Sequence, residues 1–146
     1  MIRLLALAAF LVFALLPGLA AAPLPDEEVA AHKVALDLAG AFSNDGFKLR
    51  DGNWSGPIKP KESQFIQVNL YAGNQYWFCA GATDKAKKLE VAVFDENGQP
   101  VQDIQSYQNG AKAGAGFSPS VSGAYIIRVQ ELEGAPASFC LLYTYK

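Results

Sequence analysis

The arrangement of apolar and polar residues changes twice along the chain. Residues 4–16 form a continuous apolar run, residues 25–42 have the composition of a helix, and short runs separated by turns follow from residue 46 onwards. Each pattern matches a different periodicity of side chains and therefore a different kind of structure. The patterns predict three regions, at residues 1–22, 23–45 and 46–146.

The first region has the three parts of a secretory signal peptide. Arg3 supplies a positive charge, Leu4 to Leu16 is an apolar stretch of 13 residues, and Pro17 to Ala22 supplies a break and small residues. An ordinary membrane-spanning helix needs about 20 apolar residues. We therefore expect cleavage at Ala20 or Ala21 and a periplasmic or secreted protein without a stable membrane span. An uncleaved N-terminal anchor is the alternative.

The second region is predicted to be one α-helix. Pro25 and the acids Asp26 to Glu28 are typical of a helix start, because proline fits the first turn and carboxylates interact favourably with the helix dipole. Ser43 to Gly46 is a stop signal. Four apolar residues fall on one face at helical spacing, namely Val34, Leu38, Ala41 and Phe42. This face predicts docking on the β region, and the alternative is a helix that binds a separate partner.

The third region alternates short apolar runs with turns. Residues 63–71 show this clearly, because Ile66, Val68 and Leu70 fall on one side and polar residues on the other. Aromatic or β-branched runs that end at glycine are typical of strands buried on at least one face. The predicted strands cover residues 47–50, 63–71, 76–82, 89–94, 101–107, 111–118, 124–130 and 138–145.

Seven or eight strands with turns every eight to twelve residues are typical of a sandwich or a barrel. The single predicted helix precedes every confident strand, so the sequence lacks the βαβ rhythm of parallel sheets. The predicted fold is mainly β, an antiparallel, jelly-roll-like β-sandwich preceded by one N-terminal α-helix. Residues 51–57 are predicted to be a loop.

Cys79 and Cys140 lie in two aromatic runs, and we expect these runs to be strands in contact. Two cysteines in an oxidising compartment usually pair. A Cys79–Cys140 disulfide would close a loop of 62 residues, which stabilises a fold by about 4 kcal/mol in the chain-entropy model. The alternative is two buried thiols that act as small hydrophobic side chains.

Charge and motifs exclude several function classes. The net charge is −2, from 12 basic and 14 acidic residues, and no basic face is expected for nucleic acid. His32 is the only histidine, and the sequence has no Gly-x-Ser-x-Gly motif, so neither a catalytic triad nor a zinc site is expected. We therefore expect no catalytic residue, with a small carboxylate-based secreted hydrolase as the alternative.

Exposed aromatic rings are the best candidates for recognition, because rings are common in binding hot spots. The candidate binding residues are Trp54, Trp77 and Tyr107. Burial in the core is the competing interpretation of both tryptophans. No cofactor is expected, with one alternative. Calcium takes oxygen ligands, and the candidates for it are Asp84, Asp95 and Asn97.

Four segments carry a resemblance to a known family. They are residues 65–76, 89–98, 116–119 and 122–129, which present a glycine then tyrosine, a strand ending in Asp-x-x-Gly, a phenylalanine, and Ser-Gly-x-Tyr before a late strand. In this succession the chain resembles the bacterial pre-peptidase C-terminal domain, a family of small β-sandwich modules on secreted proteins. The resemblance implies a free-standing exported module without a peptidase. Many members have aspartates where this chain has Lys87 to Glu90, which weakens a calcium site.

Three functional hypotheses follow. The first is an exported non-catalytic module that binds a protein or a glycan, such as a cell-wall or extracellular polymer, through exposed aromatics and loops. The second is the carboxylate-based hydrolase, which requires a cleft with two facing acids. The third is a structural or inhibitory partner that acts through the N-terminal helix, which requires a bare apolar helix face.

Overall fold

The computed structural model describes residues 25–146, so the predicted signal peptide lies outside the described residues. The helix α1 spans Asp26–Gly40 and is followed by a 3₁₀ turn at Ser43–Asp45. The strands that follow are β1 (Lys48–Leu49), β2 (Trp54–Ile58), β3 (Ser63–Leu70), β4 (Tyr76–Ala82), β5 (Ala86–Asp95), β6 (Gln105–Asn109), β7 (Lys112–Phe117), β8 (Gly123–Gly134) and β9 (Ala137–Tyr145). The mainly β fold with an N-terminal helix is confirmed.

The strands form two antiparallel sheets packed face to face. In the larger sheet β9 pairs with β1 and β2 on one side and with β4 on the other, and β7 and β6 follow. The smaller sheet has the order β3-β8-β5. The predicted antiparallel sandwich is confirmed, with nine strands rather than seven or eight.

Alternate residues of each strand fill the space between the sheets. Ile66, Val68 and Leu70 point inwards from β3, as their alternation predicts. On β4 the inward residues are Tyr76, Phe78, Ala80 and Ala82, whereas Trp77 and Cys79 face the other side of the sheet. Period-two patterns thus identify the buried face of these strands correctly.

Helix α1 packs on the outer face of the larger sheet and forms a second, smaller core there. Its contact with β4 is unusually close, because a Cβ added at Gly81 would lie 2.5 Å from the backbone nitrogen of Ala35. The predicted docking of the helix is therefore confirmed, but the predicted face is partly wrong. Leu38 is buried as expected while Ala41 is exposed, and the remaining buried positions are Ala31, Ala35 and Ala39. Small residues are used because the two backbones approach so closely.

The predicted loop at residues 51–57 is wrong, because Trp54–Ile58 forms strand β2. This strand pairs with β9 alone, so Pro57 lies on an edge strand. Proline is tolerated on edge strands because a lost ladder hydrogen bond costs least there. Glycine and proline in this segment are therefore compatible with a strand.

The predicted Cys79–Cys140 disulfide is wrong, since both thiols are free. The expected contact between the two strands is confirmed, but their register places Cys79 opposite Leu142 and Cys140 opposite Gly81. Cysteines related by this diagonal have Cα atoms about 7–8 Å apart, which exceeds the range that a disulfide spans without backbone movement. Both cysteines are instead buried between the sheet and α1.

Candidate functional site

An aromatic cleft opens along one edge of the sandwich, where β2 and β9 of the larger sheet face β3 of the smaller sheet. It has a volume of about 350 Å³ and continues into an adjoining hollow of about 220 Å³. The first part is lined by Arg50, Trp54, Gln67, Val68, Asn69, Tyr71 and Tyr143. The hollow adds Asn74, Tyr76 and Tyr145.

Two rings and one guanidinium group form the centre of the aromatic cleft. Trp54 lies opposite Leu141 in the β2–β9 ladder, so Trp54 and Tyr143 are diagonal neighbours on one face. Their rings are nearly parallel, at 13° and with centroids 6.2 Å apart. The Arg50 guanidinium carbon lies 5.6 Å from the Trp54 centroid and 5.2 Å from the Tyr143 centroid. Arg50 thus lies across both rings, where cation–π attraction holds it.

The turn between β3 and β4 supplies the outer wall of the cleft. The Tyr76 hydroxyl oxygen accepts hydrogen bonds from the Tyr71 backbone N–H at 2.9 Å and from Asn74 Nδ2 at 3.1 Å. Gly73 has φ of +92°, a conformation that suits glycine in a tight turn. This fixed turn leaves the Tyr71 side chain 63% exposed at the mouth of the cleft.

The cleft carries a positive charge and neutral hydroxyls. Burial raises the pKa of Tyr143, while the nearby Arg50 charge lowers it. The net shift is upward, so the phenol keeps its proton at neutral pH and can donate a hydrogen bond. Arg50 donates from Nη1 to the backbone oxygen of Asp51 at 3.0 Å. A guanidinium has five N–H donors, so donors remain for a ligand.

The three aromatic residues singled out in the sequence do not come together. Trp54 is half-buried in the aromatic cleft. Trp77 lies on the opposite face of the larger sheet, stacked on Phe42 at 4.4 Å between centroids, and a Cβ added at Gly116 would lie 2.9 Å from its ring. Tyr107 lies on the far edge, on β6. The geometry of Trp77 is that of a residue that fixes the end of the helical segment to the sheet.

The calcium candidates are separated by the length of a strand. Asp84 precedes β5 and Asp95 ends it, so about ten residues of extended chain, roughly 30 Å, lie between them. Asp95 Oδ1 accepts hydrogen bonds at 2.9 Å from the backbone N–H groups of Asn97 and Gln99. The described residues 25–146 contain no group of three or more histidine, cysteine or acidic side chains placed to hold a metal ion.

One carboxyl group, that of Glu131, is fully buried. Glu131 of β8 is 0% exposed, and none of the described residues donates a hydrogen bond to either carboxyl oxygen. Burial raises its pKa. Glu131 lines neither part of the aromatic cleft, and the residues lining that cleft include no carboxylate. The paired acids that the hydrolase hypothesis requires are therefore not found in this cleft.

Sequence reasoning missed most of the cleft. The prediction of a buried strand at Tyr143 is confirmed, whereas Arg50, predicted to end a short strand, lies just after β1. What brings them together is the ladder, in which the Arg50 N–H donates to the Tyr143 carbonyl at 3.0 Å. A signal was present in the alternation of Leu141, Tyr143 and Tyr145, which places these three residues on one face.

Within residues 25–146, no helix has both the length and the apolar character needed to span a membrane. The sequence was also compared with known proteins. No family model matches the chain, and no curated protein is significantly similar to it.

Proposed function

We propose that this chain is an exported, non-catalytic module that binds a glycan polymer through the aromatic cleft. The observation that carries the proposal is the half-buried ring of Trp54, backed by the buried ring of Tyr143, beside the exposed ring of Tyr71. Aromatic faces present a negative quadrupole to the C–H groups of a sugar ring. Several rings along one open cleft suit consecutive units of a polymer.

Polar groups beside the rings supply the directional part of recognition. Gln67, Asn69 and Asn74 line the two parts of the cleft and offer amide donors and acceptors. Arg50 adds charged donors above the rings. Ligand sites in proteins combine apolar surface with a few placed polar groups, and hydroxyl-rich sugars match this combination better than apolar ligands do.

Export and family membership are parts of the same proposal. The apolar stretch from Leu4 to Leu16, with its flanking residues, supports export. The resemblance to the pre-peptidase C-terminal domain supports a free-standing accessory module, and a β-sandwich is the fold that the resemblance implies. The helix hypothesis lacks such support, because the buried face of α1 is already covered by the larger sheet.

A retention assay tests the proposal. The mature protein is incubated with insoluble cell-wall material, chitin or cellulose, and its depletion from solution is measured with tryptophan fluorescence as a second readout. Tyr71→Ala removes an exposed ring from the cleft, and Trp54→Ala removes the half-buried ring at its centre. Phe65→Ala is the matched control, because Phe65 is 66% exposed on β3, the strand that precedes Tyr71, and does not line the cleft.

We expect at least one polymer to retain the natural chain and the Phe65→Ala variant. We expect the Tyr71→Ala and Trp54→Ala variants to bind it about ten-fold or more weakly, since each removes a stacking contact of about 1.4 kcal/mol or more. An equal loss of binding in all three variants would assign the retention to nonspecific adsorption. No retention on any polymer would refute a glycan ligand.

A further inference from the structure

A second groove opens on the opposite edge of the sandwich, between β5 of the smaller sheet and β6 of the larger sheet. Its volume is about 500 Å³. We name it the edge groove, and its lining includes Val91, Val93, Ser106, Tyr107, Gln108 and Arg128. Tyr107, a candidate binding residue from the sequence, lies here rather than in the aromatic cleft.

The strand order explains why this edge is open. The order β2-β9-β4-β7 in one sheet and β3-β8-β5 in the other is that of a jelly roll. In a complete eight-stranded jelly roll, a fourth strand pairs with β5, and it is the next strand along the chain. Here that strand, β6, pairs with β7 instead. The smaller sheet therefore ends at β5, and in the described part of the chain the place of its fourth strand is taken only at Phe94, by a single antiparallel bridge to Pro100.

The backbone of β5 points unpaired groups into the edge groove. At one end the Leu89 N–H donates to the Gly110 carbonyl at 3.0 Å, and at the other the Val93 carbonyl accepts from the Val101 N–H at 3.2 Å. Both bonds leave β5 on the side away from β8. Strand alternation gives Val91 the same orientation, and among the described residues its N–H and carbonyl have no backbone partner on this side.

The facing backbone of β6 is unpaired as well. A two-residue turn joins β6 to β7, so Asn109 and Lys112 at its ends form a hydrogen-bonded pair. Alternation then directs the N–H and carbonyl groups of Ser106 and Gln108 away from β7. The Gln108 side chain reaches across from here and donates to the Leu89 carbonyl at 2.8 Å. Two strand edges, on β5 and β6, thus face one groove, and some backbone N–H and carbonyl groups on each edge have no hydrogen-bond partner within residues 25–146.

This edge lacks the usual protection on the β6 side. Natural edge strands are commonly guarded by charged residues, proline or bulges. On β5 the register shifts lie between Ala86 and Leu89, outside the open stretch. The sequence of β6, Gln105 to Asn109, has no charged residue and no proline. A charged pair stands at the rim, where Arg128 Nη2 and Glu90 Oε1 are 2.6 Å apart.

We propose that the edge groove binds an extended peptide segment by strand addition. The bound segment takes the place of the missing fourth strand and pairs with Val91 on one side and with Ser106 and Gln108 on the other. Main-chain hydrogen bonds supply affinity in this mode, while pockets for alternate side chains select the sequence. The side chains of Val101 and Ile104 in the lining favour a β-branched or aromatic residue pointing inwards.

The test uses a synthetic peptide of alternating valine and threonine with a lysine at each end. Amide hydrogen exchange of the folded protein is followed by NMR with and without the peptide. A second peptide, with proline in place of the central valine, cannot donate from that position. Ser106→Pro removes a groove-facing N–H without touching the β6–β7 ladder, and Ser106→Ala is its control because it keeps the N–H.

We expect the first peptide to slow exchange at Val91, Ser106 and Gln108 by about ten-fold or more. The proline peptide is expected to give no such protection. The Ser106→Pro variant is expected to show none at its remaining amides of Val91 and Gln108, while Ser106→Ala behaves as the natural chain. Absence of protection with the first peptide, or unchanged protection in Ser106→Pro, would overturn the proposal. Protection that rises with protein concentration without peptide would also overturn it, because a second copy would then occupy the groove.

Discussion

Replacing Glu131 should make this protein more stable at neutral pH. The side chain points into the core from β8, opposite Leu89, and its carboxyl contacts the backbone near Gly134. A Cβ added at Gly134 would lie 2.6 Å from Glu131 Oε1. Lys85 and Lys87 lie at the same end of the sandwich, but their ammonium groups bond to Glu27 and to the Asp84 carbonyl. The carboxyl therefore has neither a donor nor a counter-charge among the described residues.

The size of the effect follows from this isolation. A buried polar group without a hydrogen-bond partner costs about 1–3 kcal/mol of stability. A charged carboxylate costs more, so the group takes up a proton instead, and each unit of raised pKa adds about 1.4 kcal/mol at a pH above that pKa. Glu131→Leu removes both costs and keeps an apolar side chain of similar size. We expect the free energy of unfolding to rise by about 1–3 kcal/mol at neutral pH.

The pH dependence has a definite sign. Burial raises the pKa of Glu131 in the folded state above its usual value of 4.5. Between these two pKa values the folded state binds more protons than the unfolded state, so stability falls as pH rises. The contribution of neutral Glu131 to the free energy of unfolding is fully present below the pKa of the unfolded state. It is lost as the pH rises through the pKa of the folded state.

Urea unfolding measured by tryptophan fluorescence from acidic to neutral pH gives both quantities. Glu131→Gln is the control, because it keeps the shape of the side chain but cannot ionise. We expect Glu131→Gln to remove this part of the pH slope and Glu131→Leu to raise stability as well. A Glu131→Leu variant less stable than the natural chain at neutral pH would refute the reasoning, as would an unchanged slope in Glu131→Gln.

Three further predictions concern the packing of the sheets. Gly81→Ala should lower the free energy of unfolding by about 1–3 kcal/mol, because the new methyl group meets helix backbone. Gly40→Ala is the control, because it has open space around it and should not lower the stability. Equal urea midpoints for the two variants would contradict this prediction. Burial raises the pKa of Cys79 to about 12, so a thiol reagent at mildly alkaline pH should label Cys79 and Cys140 only after unfolding, and labelling of the folded protein would argue against their burial. Tyr76→Phe should cost about 1–2 kcal/mol in the same urea assay, because it leaves a turn N–H without its acceptor; unchanged stability would show that water replaces the hydroxyl.

Local patterns predicted the parts of the fold that depend on a single segment. Alternation along β3 identified Ile66, Val68 and Leu70 as core residues, and the structure buries all three. Trp77 and Cys79 are two residues apart on β4 and therefore share a face, which lies under the helical segment. Such predictions succeed because the side-chain period of a strand is fixed by its backbone.

Features that depend on two distant segments could not be predicted in this way. The helix pattern predicted Val34, Leu38, Ala41 and Phe42 as its buried face. Leu38 is buried and Ala41 is exposed, and the close approach at Gly81 of β4 places Ala31 and Ala35 against the sheet. The cysteine pairing failed for a similar reason. Adjacency of the two strands was foreseen, but a register offset of two residues separates Cys79 from Cys140.

The pairing of β6 with β7 rather than with β5 shows how the choice of strand partner can create a binding site. Its polar sequence, Gln105 to Asn109, fits an edge strand beside either β5 or β7. A two-residue turn at Gly110 and Ala111 leads to β7, whereas a longer loop leads back to β5. Closing the shorter loop costs less entropy, so β6 pairs with β7, and among the described strands β5 has no full partner on the side away from β8. On this view, the edge groove is a consequence of turn length, and lengthening that turn should weaken the pairing that keeps the groove open.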